Sequence, residues 1–132
     1  MPKKTLENLT ESMYYVLMAL ADGEKCGTQI ADYAAERTNG AVTIGPATLY
    51  TILAKFQTED YIRETAVEGR KRTYAITETG LAAYQAELRR LWRCIMDASP
   101  VKPDSAAEQP VQIANALREI YKEVLFRAPF LD

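Results

Sequence analysis

The sequence predicts a mainly α-helical fold with one small β-hairpin, and three observations lead to this prediction. In the first half of the chain, short segments repeat apolar side chains at intervals of three and four residues, which is the period of an α-helix. Two runs rich in aromatic and β-branched residues then flank a turn at Gly69. A longer amphipathic segment follows, and its apolar positions also alternate between intervals of three and four.

The short segments are predicted to be three helices bounded by capping and turn residues. The first covers residues 9–22, and the second covers residues 27–38 with Thr28 as its N-cap. The third begins at Pro46, because the first position of a helix needs no backbone N–H. The predicted buried stripe of this third helix consists of Leu49, Ile52, Leu53 and Phe56.

The hairpin and a fourth helix follow the three short helices. Hairpin strands are predicted at residues 61–67 and 72–76, on either side of the turn at Gly69. Thr77 is the predicted cap of a fourth helix that ends near Ala98. Its apolar seam has the spacing of a short coiled coil and is predicted to pair with a second copy of the chain. The seam residues are Leu81, Tyr84, Leu88, Leu91 and Ile95.

The order of these elements is that of a winged helix-turn-helix with a carboxy-terminal extension, an architecture in which the third helix enters the DNA major groove. Residues 1–76 are therefore predicted to form a winged-helix DNA-binding domain, and residues 77–98 a dimerisation helix. Residues 99–110 contain three prolines and are interpreted as a linker. Residues 111–132 are predicted to form a carboxy-terminal helix that packs back onto the dimer, because their apolar residues follow a helical period.

Composition narrows the classes of function. The 132 residues include no histidine, which excludes histidine-based catalysis and removes one of the usual zinc ligands. The two cysteines, Cys26 and Cys94, are far apart and form no CxxC pair. We therefore expect no enzymatic activity, no cofactor and no metal. The sequence shows neither a signal peptide nor an apolar run of membrane-spanning length, so we expect a cytoplasmic protein with no membrane partner.

The charge of the chain is unevenly distributed. With 16 basic and 18 acidic residues, the formal net charge is −2, which by itself disfavours nucleic-acid binding. Three cations follow Gly69 in the hairpin, however, and they could neutralise DNA phosphates without contacting bases. These cations are Arg70, Lys71 and Arg72, and the nearby Glu64 and Glu68 are expected to weaken their field. The alternative is that the basic turn is ordinary solvated surface.

Three motifs, in this order, resemble the PadR family of transcriptional regulators over about residues 8–97. They are Thr48-Leu49-Tyr50 in the third helix, Gly69-Arg70-Lys71-Arg72 in the hairpin, and Tyr74-Ala75-Ile76-Thr77-Glu78-Thr79-Gly80 after it. The resemblance implies a homodimeric repressor, often one released from DNA by a small molecule, and a small aromatic compound is a candidate effector. Before the first strand the family usually has glycine, whereas this chain has Asp60, and aspartate tolerates a left-handed backbone better than most residues.

The third helix is predicted to contact DNA through the face opposite its buried stripe. This face lacks acidic side chains, and its small and hydroxyl-bearing residues suit close approach to base edges. Because no Arg, Asn or Gln faces outward near the helix start, DNA shape is expected to share in the specificity. A solvated amphipathic helix is the alternative. The resemblance implies that Tyr50 contacts a phosphate through its hydroxyl. The predicted DNA-binding residues are Thr48, Tyr50, Thr51, Lys55, Arg70, Lys71, Arg72 and Tyr74.

Trp92 in the fourth helix has two interpretations. The position that carries a tryptophan in similar short PadR proteins corresponds here to Leu91, and one residue turns a helix by about 100°. Trp92 is thus either a packing residue or a cover for the fifth helix on the one hand, or the wall of an effector pocket on the other. The predicted dimerisation residues are Leu81, Tyr84, Leu88, Leu91, Trp92 and Ile95.

The predicted fold, the basic hairpin and the apolar seam together predict a homodimeric, sequence-specific DNA-binding regulator. The alternative is a winged-helix module for protein–protein interaction without specific DNA binding.

Overall fold

The computed structural model describes residues 8–98 and Glu119. It confirms the mainly helical fold with a small antiparallel sheet. In chain order the elements are α1 Glu11–Asp22, β1 Lys25–Cys26, α2 Gly27–Arg37, α3 Pro46–Thr58, β2 Ile62–Glu68, β3 Lys71–Ile76 and α4 Glu78–Ala98. The chain divides into two units, Met1–Glu87 and Leu88–Asp132, so the boundary between them falls within α4.

The first three helices contribute most of the apolar core of the first unit. α1 begins after Thr10, whose hydroxyl accepts a hydrogen bond from the Met13 N–H at 3.2 Å. Val16 and Leu17 of this helix are fully buried. The predicted buried stripe of α3 is confirmed, since all four of its residues are buried: Leu49, Ile52, Leu53 and Phe56.

The start of α2 differs from the prediction in its cap. Cys26 is the N-cap residue, and the helix begins at Gly27. The Cys26 N–H donates to the side-chain oxygen of Gln29 at 2.9 Å, which gives this end of the helix a capping box. The prediction that Thr28 caps α2 is wrong, because Thr28 already lies inside the first turn, where its hydroxyl oxygen is 3.3 Å from the Cys26 sulfur.

A two-residue strand, β1, completes the sheet and has no counterpart in the sequence prediction. It pairs with β3, which gives the strand order β1-β3-β2. Lys25 lies opposite Tyr74, and Cys26 lies opposite Thr73. Two residues are too few to show an alternating pattern, so only the pairing with β3 defines this strand. Its consequence is that the start of α2 lies beside the hairpin.

The predicted hairpin is confirmed, with one irregularity. β2 and β3 pair antiparallel, and a bulge between Glu64 and Ala66 shifts their register. The shift leaves Gly69 and Arg70 as a two-residue loop between the paired ends of the strands. Gly69 has φ +61°, the sign that the first loop position of a type II′ turn requires.

Thr77 joins the hairpin to α4 and confirms the predicted cap. Its hydroxyl accepts a hydrogen bond from the Gly80 N–H at 3.0 Å and donates one to the Asp60 carbonyl oxygen. Its own N–H donates to the Tyr61 carbonyl oxygen at 3.0 Å. Asp60 has φ +59°, the left-handed conformation that aspartate tolerates better than most residues. The start of α4 is thereby fixed against the residues that precede β2.

The apolar side chains of α4 have different surroundings. In the first unit, the Tyr84 ring stacks on Tyr14 of α1 with 5.3 Å between ring centroids, whereas Leu81 is exposed. Tyr84, which the heptad spacing places in the dimerisation seam, is thus in contact with its own chain. In the second unit Leu91 is half-buried. Among the described residues of that unit, the exposed large apolar ones are Leu88, Trp92 and Ile95.

Tyr61 carries a buried hydroxyl that has no hydrogen-bond partner among the residues that the structure describes. A hydroxyl of this kind costs about 1–3 kcal/mol, so Tyr61→Phe should leave the free energy of unfolding unchanged or raise it by up to about 1 kcal/mol. Urea denaturation measures the difference. Tyr50→Phe, at a side chain that is 55% exposed, is the control. A loss of stability confined to Tyr61→Phe would contradict the prediction.

The predictions for the carboxy-terminal part of the chain lie outside the described residues. They comprise the linker at residues 99–110, the helix at residues 111–132 and the packing of that helix onto the dimer. Glu119 is the described residue of this part, and it is helical. The linker, the fifth helix and its packing therefore stay predictions.

Candidate nucleic-acid interface

The outward face of α3 carries exposed side chains and no acidic ones. The helix from Pro46 to Thr58 contains neither Asp nor Glu. The predicted DNA contacts on this helix are all exposed: Thr48, Tyr50, Thr51 and Lys55. The face can therefore approach phosphates and base edges without repulsion from acidic groups of its own helix.

Two threonine hydroxyls of this face, those of Thr51 and Thr58, bond to the helix itself. The Thr51 hydroxyl donates to the Ala47 carbonyl oxygen at 2.9 Å. The Thr58 hydroxyl donates in the same way to the Ala54 carbonyl oxygen, at 3.1 Å. Because a hydroxyl has one hydrogen to donate, each group presents acceptor lone pairs and a methyl group to the outside. Thr51 is thus suited to accept a hydrogen bond from a base amino group or to contact a thymine methyl group.

Three consecutive basic residues of the hairpin lie at its loop and at the start of β3. Arg70 belongs to the two-residue loop, and Lys71 and Arg72 are the first residues of the strand. All three side chains are exposed. Cations in this position can contact the phosphates of a DNA backbone, which positions the protein without selecting a base.

A cleft of about 760 Å³ lies between the start of α2, α3 and the hairpin. Its lining includes Tyr50, Tyr74 and the consecutive cations Arg70, Lys71 and Arg72, so the structure brings these predicted contacts together. Thr48, Thr51 and Lys55 lie on α3 outside its lining. The other lining residues are Cys26, Gly27, Thr28, Gln29, Leu53, Ala54, Gln57 and Glu64. Sequence reasoning missed the α2 residues among them, because only the pairing of β1 with β3 brings α2 beside the hairpin.

Gly27 makes room for Tyr50 at the start of α2. A β-carbon on Gly27 would lie 3.3 Å from the Tyr50 hydroxyl oxygen and 3.5 Å from a methyl carbon of Leu49. A side chain at position 27 would therefore press on the tyrosine hydroxyl. The glycine is visible in the sequence as a helix start, but its contact with Tyr50 depends on how α2 and α3 pack.

Tyr74 and Cys26, which both line the cleft, have shifted pKa values. Burial, followed by the negative charge of Glu64, raises the pKa of the Tyr74 hydroxyl. Since Tyr74 is only 3% exposed, it contributes an uncharged ring and hydroxyl to the floor of the cleft. A hydrogen bond with the Thr28 hydroxyl lowers the pKa of the Cys26 thiol, although the burial of that thiol acts in the opposite direction.

Glu64 and Arg72 form an ion pair at the cleft. The Glu64 Oε1 and the Arg72 Nη1 are 2.7 Å apart, and the side chains are 29% and 54% exposed. The hydrogen bond to Glu64, reinforced by its charge, raises the pKa of the Arg72 guanidinium. The sequence suggested only that Glu64 weakens the basic field, and the structure identifies the cation that it engages.

The described part of the chain holds neither a metal-binding cluster nor a membrane span. Within residues 8–98 and at Glu119, no three His, Cys, Asp or Glu side chains are grouped so that they could hold a metal ion. In the same residues, no helix has both the length and the apolar character needed to cross a membrane.

A family model described as "Transcriptional regulator PadR-like family" matches residues 16–86 of the chain. The matched range includes α2, α3 and the whole hairpin, together with parts of α1 and α4. It therefore contains every described residue that lines the cleft. No curated protein matches the sequence significantly.

Solved structures of other proteins share the fold. A transcriptional regulator from Clostridium thermocellum is 25% identical, with a TM-score of 0.58, over 65% of this chain and 86% of that chain. RosR from H. salinarum is 17% identical, with a TM-score of 0.60, over 87% of this chain and 97% of that chain. A PadR family transcription regulator from hypervirulent Clostridium difficile R20291 is 16% identical, with a TM-score of 0.55, over 67% of this chain and 94% of that chain. The last two similarities concern the fold alone.

Proposed function

This chain belongs to the PadR-like family of transcriptional regulators, and we propose that it is a homodimeric repressor that binds double-stranded DNA sequence-specifically. One observation carries the proposal: α3, which has no acidic side chain, and the basic tip of the hairpin border the same cleft. In the proposed complex α3 enters the major groove and contacts base edges, while the hairpin follows the phosphate backbone.

Direct contacts with bases are few in this arrangement. The exposed α3 residues near the helix start are small, hydroxyl-bearing or aromatic, and the Thr51 hydroxyl hydrogen already bonds to Ala47. The first turns of the helix carry no Arg, Lys, Asn or Gln, the side chains that form paired hydrogen bonds with guanine or adenine, and Lys55 and Gln57 lie in its second half. We therefore assign part of the specificity to the shape and deformability of the operator DNA.

Exposed apolar residues of the second unit support the homodimer. Leu88, Trp92 and Ile95 are 45%, 46% and 41% exposed. Their intervals of four and three residues place them on one face of α4. A continuous apolar face of this kind is typical of a surface that a partner covers. Paired α4 helices would hold two α3 helices at half-sites about one turn of DNA apart, and a small aromatic effector bound between them would change that separation.

Selection of genomic DNA fragments with the purified chain tests the proposed function. We expect the retained fragments to share a pseudo-palindromic sequence, the operator, and binding to weaken steeply with salt, by a slope of about −0.9 per neutralised phosphate. Candidate aromatic compounds that release the operator would identify the effector. Retained fragments without a common sequence, together with an affinity insensitive to salt, would instead favour a winged-helix module for protein–protein interaction.

Arg70→Ala tests the role of the hairpin. It should weaken binding to operator and random DNA by the same factor and reduce the magnitude of the salt slope by about 1, because a phosphate contact carries no sequence information. Fluorescence anisotropy with labelled duplexes across a range of NaCl concentrations measures both quantities. Arg37→Ala removes the same charge from the exposed last turn of α2 and should leave the slope unchanged. Equal salt slopes for the unmodified chain, Arg70→Ala and Arg37→Ala would show that Arg70 of the hairpin does not contact DNA phosphate.

A further inference from the structure

Glu64 is the acidic residue among the described side chains that line the cleft. Its carboxylate faces a surface that otherwise carries three cations, and it lies 2.7 Å from one of them, Arg72. Every DNA phosphate that approaches Arg72 therefore meets a negative charge already in place. An acidic side chain in this position needs an explanation if the cleft borders DNA.

The sheet register accounts for the pairing of Glu64 with Arg72. Glu64 lies opposite Tyr74 on β3, and Arg72 is two residues before Tyr74, so both β3 side chains project from the same face of the sheet. The bulge after Glu64 places Val67 opposite Arg72, where the unshifted register would place Ala66. Glu64 therefore reaches Arg72 along the diagonal of the strand pair, which is within range of a long side chain.

This ion pair contributes little to folding. Both side chains are partly exposed, and exposed ion pairs in proteins are close to neutral for stability because solvent screens them and side-chain entropy opposes them. The same reasoning means that a phosphate can displace the carboxylate at small cost. The pair thus has the properties of an exchangeable contact on the proposed DNA-facing side.

We propose that Glu64 competes with DNA phosphate for Arg72 and so sets the overall DNA affinity of this regulator without affecting its sequence preference. The inference rests on the proposed function, because it assumes that the hairpin contacts the phosphate backbone. In free protein the Arg72 guanidinium is bound by Glu64. In the complex a phosphate takes the place of the carboxylate, and Glu64 remains nearby as a like charge that opposes binding. Arg70 and Lys71 carry the constant part of the phosphate contact.

Glu64→Gln is the variant that separates this competition from a general effect of charge. It keeps the shape of the side chain and removes its charge, so we expect about five- to tenfold tighter binding to operator and random DNA alike, with a salt slope steeper by up to about 1. Glu68→Gln is the matched control, since it removes the same charge from the same strand but lies outside the cleft lining. Glu68 lies opposite Lys71, so Glu68→Gln reports the general effect of a negative charge beside the basic residues, and we expect it to tighten binding less than Glu64→Gln does.

A double-mutant cycle with Arg72→Ala assigns the effect to the ion pair. In the Arg72→Ala background, Glu64→Gln should tighten binding no more than Glu68→Gln does. The guanidinium for which the Glu64 carboxylate and the phosphate compete is then absent. Salt-dependent DNA binding by the unmodified chain with equal effects of Glu64→Gln and Glu68→Gln would overturn the inference and leave the proposed function intact. An undiminished effect of Glu64→Gln in the Arg72→Ala background would overturn it as well. Absence of salt-dependent binding by the unmodified chain would refute the proposed function, and this inference with it.

Discussion

Gly80→Ala is expected to destabilise the first unit by about 3 kcal/mol or more, because the structure has no room for a β-carbon at this position. The added carbon would overlap the carbonyl oxygen of Tyr61 and lie 2.8 Å from its carbonyl carbon. On another side it would be 3.0 Å from Ile76 Cγ1. The nearest atoms belong to the backbone, which cannot turn aside as the end of a flexible side chain can.

The overlap at Gly80 also disrupts the hydrogen bonds that connect the start of α4 to Tyr61. The Tyr61 carbonyl oxygen that the methyl group would displace accepts a hydrogen bond from the Thr77 N–H. The Thr77 hydroxyl in turn accepts one from the Gly80 N–H, so the displacement disturbs the cap of α4. Alanine favours a helix over glycine by about 1 kcal/mol, and this gain offsets only part of the loss.

Chemical denaturation measures the effect of Gly80→Ala, with Gly45→Ala as the control. Gly45 is the N-cap of α3 and has φ −71°. A β-carbon added at Gly45 would have no neighbouring heavy atom within 4 Å. Gly45→Ala should therefore lower the free energy of unfolding by less than about 1 kcal/mol. If the two variants are equally stable, the close approach of α4 to Tyr61 is not present in solution.

Leu88→Asp is expected to dissociate the proposed homodimer and to weaken operator binding at least about 100-fold. The two DNA-binding domains would no longer be linked, so each would bind its half-site alone. Leu88 is 45% exposed in the single chain, so the change should leave the fold of each subunit intact. In a paired α4 face, the same change buries an unpaired carboxylate among apolar side chains, which costs on the order of several kcal/mol.

Light scattering at micromolar concentration measures the mass of Leu88→Asp and of a matched control. Ala86→Asp adds the same charge to the same helix at an exposed residue. Two residues turn an α-helix by about 200°, so position 86 lies on the side opposite Leu88. The control should remain a dimer and keep its operator affinity. A monomeric unmodified chain at this concentration would refute the dimer model.

Much of the fold was predictable because local interactions specify it. The apolar period predicted the buried stripe of α3, and Gly69 predicted the hairpin turn. Thr77 was recognisable as a helix cap because its hydroxyl bonds to an N–H three residues later, within reach of a local pattern. The left-handed backbone of Asp60 followed from a residue type that tolerates it. The basic residues of the candidate interface were visible for the same reason, since they are consecutive in the chain.

Contacts between residues distant in sequence were decided by the tertiary structure. Strand β1 exists because Lys25 and Cys26 meet β3, some fifty residues later, and this pairing brings α2 into the cleft. The heptad spacing treats Tyr84 as a seam residue, but its stacking on Tyr14 depends on how α4 packs against α1.

The tertiary structure also decided the functional details of the cleft and the close contact at Gly80. The pairing of Glu64 with Arg72 depends on the register of β2 against β3, which no local pattern marks. Gly80 is visible in a motif, but a glycine is needed there because the backbone of Tyr61 leaves no room for a β-carbon. The sequence by itself therefore determined the helices, the hairpin and the basic tip, because their causes lie within a few residues. Only the tertiary structure decided which charges and backbones meet, because those energies depend on distances between separate elements.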